Sequence, residues 1–153
     1  MKRPFELFLL LLLMSLLSIN ALFGGAAMIL FPGGSKLGLQ PDWISGTPFR
    51  SYLIPGIMLF FFLGLFPLIT LIGLIFKTDG SLFQKLNIYP EMHWSWTYSL
   101  YSGIVAILWI IVQQLLTDYF VLQPIIAGTG LLILVLTLIP RVQQWYRVTA
   151  QGG

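Results

Sequence analysis

The sequence predicts an all-α membrane protein, a four-transmembrane-helix bundle with an ordered outer loop between its first and second helices. Three observations lead there. The 153 residues are 58% hydrophobic and 8% charged, with a mean hydropathy of +0.91, which leaves too little polar surface to clothe a water-soluble domain. Four apolar runs each approach the roughly 20 residues needed to cross a bilayer. The eight lysines and arginines sit beside those runs rather than inside them, as membrane flanks do. No linker divides the chain, so 1–153 reads as a single membrane domain.

The first span is expected at 5–30, opened by Lys2 and Arg3. Its basic start, leucine-rich centre and small residues at 24–27 imitate a signal peptide, but the run exceeds the ~7 to 15 apolar residues of a signal core. Pro32, Gly33 and Gly34 end it, because proline cannot continue a helix and glycine accepts turn conformations. The outer loop, 31–51, carries Leu37, Leu39, Trp43 and Ile44 among polar neighbours, so it is expected to lie as a lid against headgroups or the bundle. Asp42 is expected to cap a short turn, and Thr47 with Pro48 reads as a helix start.

The second span is expected at 52–76, kinked by Pro55 and Pro67. A cytoplasmic connection, 77–96, holds an interfacial turn near 82–86 and leads into Trp94, Trp96, Tyr98 and Tyr101, which read as an aromatic girdle at the membrane surface. The third span is expected at 97–116 and the fourth at 123–139, with Thr117 and Asp118 between them. A cytoplasmic tail follows at 140–153. Lys2, Arg3, Lys77, Lys85, Arg141 and Arg147 lie on the side of the termini, and only Lys36 and Arg50 on the other. That asymmetry predicts a multi-pass protein of the cell membrane with both termini cytoplasmic.

Polar residues within or beside the spans are the default functional candidates. Asn20, Asp42, Arg50, Gln113, Gln114, Asp118 and Gln123 fall toward the loop side and form a candidate outer polar cluster. Arg50, placed in the first turn of the second span, is expected to meet Asp42 or Asp118. Glu6 lies near Lys2 and Arg3, which can neutralise it. Ala21 with Gly25, and Ser99 with Gly103, have the small-xxx-small spacing of close helix contacts, and Ser102 with Ala106 repeats it.

Chemistry is harder to find. With no cysteine there are no disulfides, thiolate metal sites or thiol redox reactions. The lone His93 beside Glu91 falls short of the three or four ligands zinc requires, and no serine-hydrolase or phosphate-loop pattern is present. The expectation is no catalytic residue, no metal and no cofactor, with the lipid bilayer as partner and no nucleic acid. The stretch from Gly24-Gly25 to Leu30, PGGSKLGL at 32–39, Trp43-Ile44, TPFRSYLIPG at 47–56 and a later helix with Trp109 and Gln113 resembles small bacterial four-span integral membrane proteins of unassigned function. The resemblance implies topology and a bacterial cell membrane, and no activity. The function expected is a non-enzymatic accessory or scaffold subunit packing against itself or a larger membrane partner; the alternative is a small-molecule or lipid binder or transport element with an outer cavity, and the third a membrane enzyme.

Overall fold

The computed structural model describes residues 2–148. Over these residues the chain is all-helical, with one isolated antiparallel bridge, Met92 to Arg147. The elements are α1 (Phe5–Leu30), α2 (Leu53–Phe76), α3 (Trp94–Leu116), α4 (Leu122–Leu138) and α5 (Pro140–Tyr146). The first three are long and apolar enough to cross a membrane; α4 and α5, bent by 67° at Ile139, reach that length only as a pair. Contacts run from α1 to α2, α2 to α3, α3 to α4 and α4 back to α1, closing a ring around the core.

In α1 the buried residues are Leu7, Leu10, Met14, Leu17, Ala21 and Gly25, with Ser18 beside them. Steps of three and four place them on one stripe, while Phe8, Leu12, Leu16, Ile19 and Phe23 face outward. Gly25 lets α2 come close: a Cβ there would stand 2.7 Å from the Phe60 backbone nitrogen. Gly103 and Gly130 do the same for α3 against α4, each lying where the other's Cβ would meet a carbonyl oxygen at 2.8 to 2.9 Å. Ser99 and Thr137 join hydroxyls at 3.0 Å on that seam.

The proline kink expected in α2 takes a different form. Leu59–Leu65 is a π-helical segment of seven residues, in which hydrogen bonds skip one residue further than in an α-helix. Pro67, having no N–H, lies two residues beyond its end. Ser18 Oγ donates to the Gly64 carbonyl at 2.8 Å, so α1 satisfies a backbone acceptor in the irregular stretch.

Trp94, Trp96 and Tyr98 do not form a surface girdle. They are 1%, 4% and 5% exposed, because each polar handle finds an internal carbonyl: Trp94 Nε1–H on Thr78 at 2.7 Å, Trp96 Nε1–H on Thr137 at 2.9 Å and Tyr98 O–H on Phe83 at 3.1 Å. With its donor satisfied, an aromatic side chain gains by full burial.

The expected tail is structured as far as residue 148, and 149–153 lie outside the described residues. Pro140 opens α5 instead of merely ending α4. α5 folds back so that Tyr146, 1% exposed, donates to the Leu74 carbonyl at 2.6 Å. Lys77, at φ 48 in the left-handed region, donates to Trp145 O at 2.7 Å and lies over the rings of Trp145 and Tyr146. Two backbone bonds, His93 N to Tyr146 O and Val148 N to Glu91 O, complete this clasp at 2.9 Å each. Glu6 pairs not with Lys2 or Arg3 but with Arg141 of α5, at 3.2 Å. Arg3 instead donates to Ile75 O.

Candidate functional site

The loop between α1 and α2 closes on itself through backbone bonds. Gly34 adopts φ 78, a conformation that strongly favours glycine, and its carbonyl accepts from Leu39 N at 3.0 Å. Tyr52 staples both ends, its N–H on Pro32 O at 2.9 Å and its hydroxyl on Gln40 O at 2.6 Å. Between them lie two 3-10 turns, Ser35–Leu37 and Pro41–Ile44. Ile44 is buried, and Trp43 stacks on Phe120 of the α3–α4 turn with ring centroids 6.2 Å apart and planes 7° apart.

Three local expectations fail. Thr47 and Pro48 do not start a helix: Thr47 Oγ1 accepts from Phe49 N at 3.1 Å and donates to Ile44 O, a side-chain turn that satisfies the same groups as a helix cap. α2 begins only at Leu53, so Arg50 precedes the helix instead of lying in its first turn. Arg50 is exposed and makes no ion pair with Asp42 or Asp118; the loop is held by rings and backbone bonds instead. Asp42 makes no side-chain cap, the Pro41–Ile44 turn being preceded by Gln40.

The seven candidate polar residues separate. Asn20 is exposed and donates to its own helix at Leu16 O, and Gln114 is likewise exposed, so neither lies beneath the loop. Gln123 is fully buried. It braces the α3–α4 turn, its Nε2 donating to Thr117 Oγ1 and Asp118 O and its Oε1 accepting from Phe120 N, all at 3.4 to 3.5 Å. Asp42 and Asp118 border one shallow polar groove between the loop and that turn. Gln113 and Asp118 reach a second, deeper space.

That space is a cavity of about 130 Å³ beneath the loop. Its walls are mostly apolar: Met28 from α1, Trp43 and Ile44 from the loop, Met58 from α2, Trp109 and Leu116 from α3. Sequence reasoning pointed to a polar cluster here and missed these residues as a set. Trp43 and Phe120, aromatics in the two connections at the same end of the bundle, were the available signal.

At the opposite end, His93 works as a structural cap. Its Nδ1 accepts from Ser95 N at 3.3 Å and lies 2.7 Å from Ser95 Oγ. Burial pushes the ring below its ordinary pKa, with Lys77 adding to that effect and the Thr78 carbonyl and Asp79 opposing it.

Over the described residues, fold and cavity together define an all-helical protein with apolar helices of membrane-spanning length and an apolar cavity under the α1–α2 loop. No family model, curated protein or solved structure matches the sequence.

Proposed function

We propose that this chain is a four-span protein of a bacterial cell membrane, with α4 as the fourth span, α5 and its Arg141 at the cytoplasmic end and both termini cytoplasmic, and that it holds a small apolar molecule or the end of a lipid chain beneath its outer loop without transforming it. The cavity carries this reading. A mostly apolar space walled by five separate segments, about the size of a protein cavity that admits benzene, supports a preformed site for a small apolar guest. The stapled loop supports it, because a lid ordered in advance lowers the entropic cost of binding. The accessory-subunit reading rests on outward residues such as Phe8, Ile19 and Phe23, which lipid covers as well as protein would, and it carries less.

The test is saturable binding of fluorobenzene to the full chain in lipid nanodiscs, followed by ¹⁹F NMR and referenced to empty nanodiscs. Wild type should bind saturably, and Leu116→Trp, which fills the cavity from α3, should abolish binding while leaving the helical circular dichroism unchanged. Absence of saturable binding in wild type, or equal binding in Leu116→Trp, overturns the reading.

A further inference from the structure

One wall of the cavity belongs also to the outward face of α3. Val112 lines the space and is 49% exposed. It falls between Leu108 and Leu115, 53% and 80% exposed, in the i, i+4, i+7 steps of a single helix face. Across the seam, the lining residues Pro55 and Met58 of α2 lie next to Ile54 and Ile57, both exposed. On each helix, therefore, cavity wall passes directly into outward apolar surface.

Backbone packing separates the two helices at this end. Gly56 holds the start of α2 against α1: a Cβ there would stand 2.5 Å from Met28 Cβ and 3.1 Å from the Gly25 carbonyl oxygen. The packing of α2 on α3 is carried instead by Leu59–Phe76. On the loop side the space is roofed, with Ile44 buried, Tyr52 closing the loop through its two hydrogen bonds and Trp43 stacked on Phe120. Besides Val112, the exposed residue on the wall is Asp118. A guest entering past Asp118 would strip water from a carboxylate, which is costly, whereas one entering past Val112 exchanges lipid for another apolar surface.

We infer that the cavity opens sideways into the loop-side leaflet between α2 and α3, and that its guest is the tail of a membrane lipid. This rests on the reading of the chain as membrane-spanning and of the cavity as a ligand site. A space of about 130 Å³, close to the roughly 150 Å³ of an apolar protein cavity that admits benzene, takes the end of one tail and leaves the rest of the lipid in the bilayer. Met28 and Met58, on facing walls, are flexible enough to shape themselves to a chain.

The test uses the wild-type chain in lipid nanodiscs that contain a phospholipid whose octanoyl chain ends in a 4-fluorophenyl group. A ring on this tether reaches the cavity only through an opening that faces the bilayer, because the headgroup keeps the lipid in its leaflet. ¹⁹F NMR spectra at increasing mole fraction of the probe lipid, referenced to empty nanodiscs, should show a shifted resonance that saturates and is lost when benzene is added. Leu116→Trp should lose it also. Free fluorobenzene that binds saturably while the tethered ring gives no shifted resonance overturns the sideways opening and leaves the cavity reading intact. A shifted resonance that benzene does not displace, or that persists in folded Leu116→Trp, places the probe elsewhere on the helices and overturns the inference. Saturable binding of neither probe overturns the inference and the cavity reading together. Displacement by benzene in the wild type decides the question even if Leu116→Trp fails to fold.

Discussion

Trp43 and Phe120 lie with ring planes 7° apart and centroids 6.2 Å apart, tying the α1–α2 loop to the α3–α4 turn where an Arg50–Asp118 ion pair was expected. Stacked aromatic pairs contribute about 0.5–1.5 kcal/mol beyond the area they bury. Phe120→Ala should therefore speed hydrogen exchange of residues 33–46 about two- to tenfold, whereas Arg50→Gln and Asp118→Asn should leave it unchanged. Protection lost on Arg50→Gln but kept in Phe120→Ala would return the lid to electrostatic control.

Helical character was legible because it depends on the length of apolar runs and on where prolines and glycines interrupt them. The run from Phe5 to Leu30 contains no proline and forms one helix, its Gly24-Gly25 pair facing α2 without breaking it. Single turns were less legible. Thr47-Pro48 satisfies the same hydrogen-bonding groups as an isolated turn or as a helix cap, and in the structure the Thr47 hydroxyl takes the Phe49 N–H within a turn. Pro140 can end one helix or open the next, and α5 exists because Tyr146 and Trp145 find partners on α2. Trp94 and Trp96 read as surface anchors because their internal acceptors, the carbonyls of Thr78 and Thr137, lie 16 and 41 residues away. The cavity was hidden for a related reason. Its walls are ordinary apolar residues from segments far apart in sequence, and a space between side chains has no composition.

Close packing at Gly25 gives the second prediction. A Cβ at this position would meet the Phe60 backbone at 2.7 to 2.8 Å, a collision that side-chain rotation cannot relieve. Gly25→Leu should cost about 3 kcal/mol or more, read as loss of monodisperse protein after detergent extraction. Leu16→Ile, on the exposed face, should be silent. Equal recovery of both variants would mean that α1 and α2 do not pack through Gly25.

The uneven spread of basic residues, six toward the termini and two toward the loop, predicts which parts of the chain share a compartment. Ser35 and Ser81 are both exposed, on the α1–α2 loop and the α2–α3 connection, and the chain has no native cysteine. Single cysteines at these positions should react with an impermeant maleimide from opposite faces of the membrane, Ser35→Cys in intact cells and Ser81→Cys only after permeabilisation. Labelling of both in intact cells would refute the proposed topology.

His93 should make the C-terminal clasp pH-dependent. The ring sits between Trp94 and Tyr146, with centroids 5.6 and 6.4 Å away. Its backbone N–H holds Tyr146 O while its Nδ1 accepts from Ser95 N. Protonation would turn that acceptor into a donor and remove the cap from α3. Burial is the largest influence on the ring and lowers its pKa from the ordinary 6.5; the nearby Lys77 acts in the same direction, and the carbonyls of Thr78 and Lys77 and the Asp79 carboxylate act against it. The opened chain therefore binds a proton at higher pH than the folded one. Stability from the neutral ring is complete above about pH 6.5 and is lost as pH falls from there through the lowered folded value. Hydrogen exchange at Tyr146 and Val148, corrected for the intrinsic rate, should become faster below pH 6.5, by no more than about tenfold per pH unit for a single proton. His93→Asn keeps a side-chain acceptor at the cap without a titrating group, so its corrected profile should be flat between pH 7.5 and 5.5. A slope in His93→Asn equal to that of wild type would assign the pH dependence to another group.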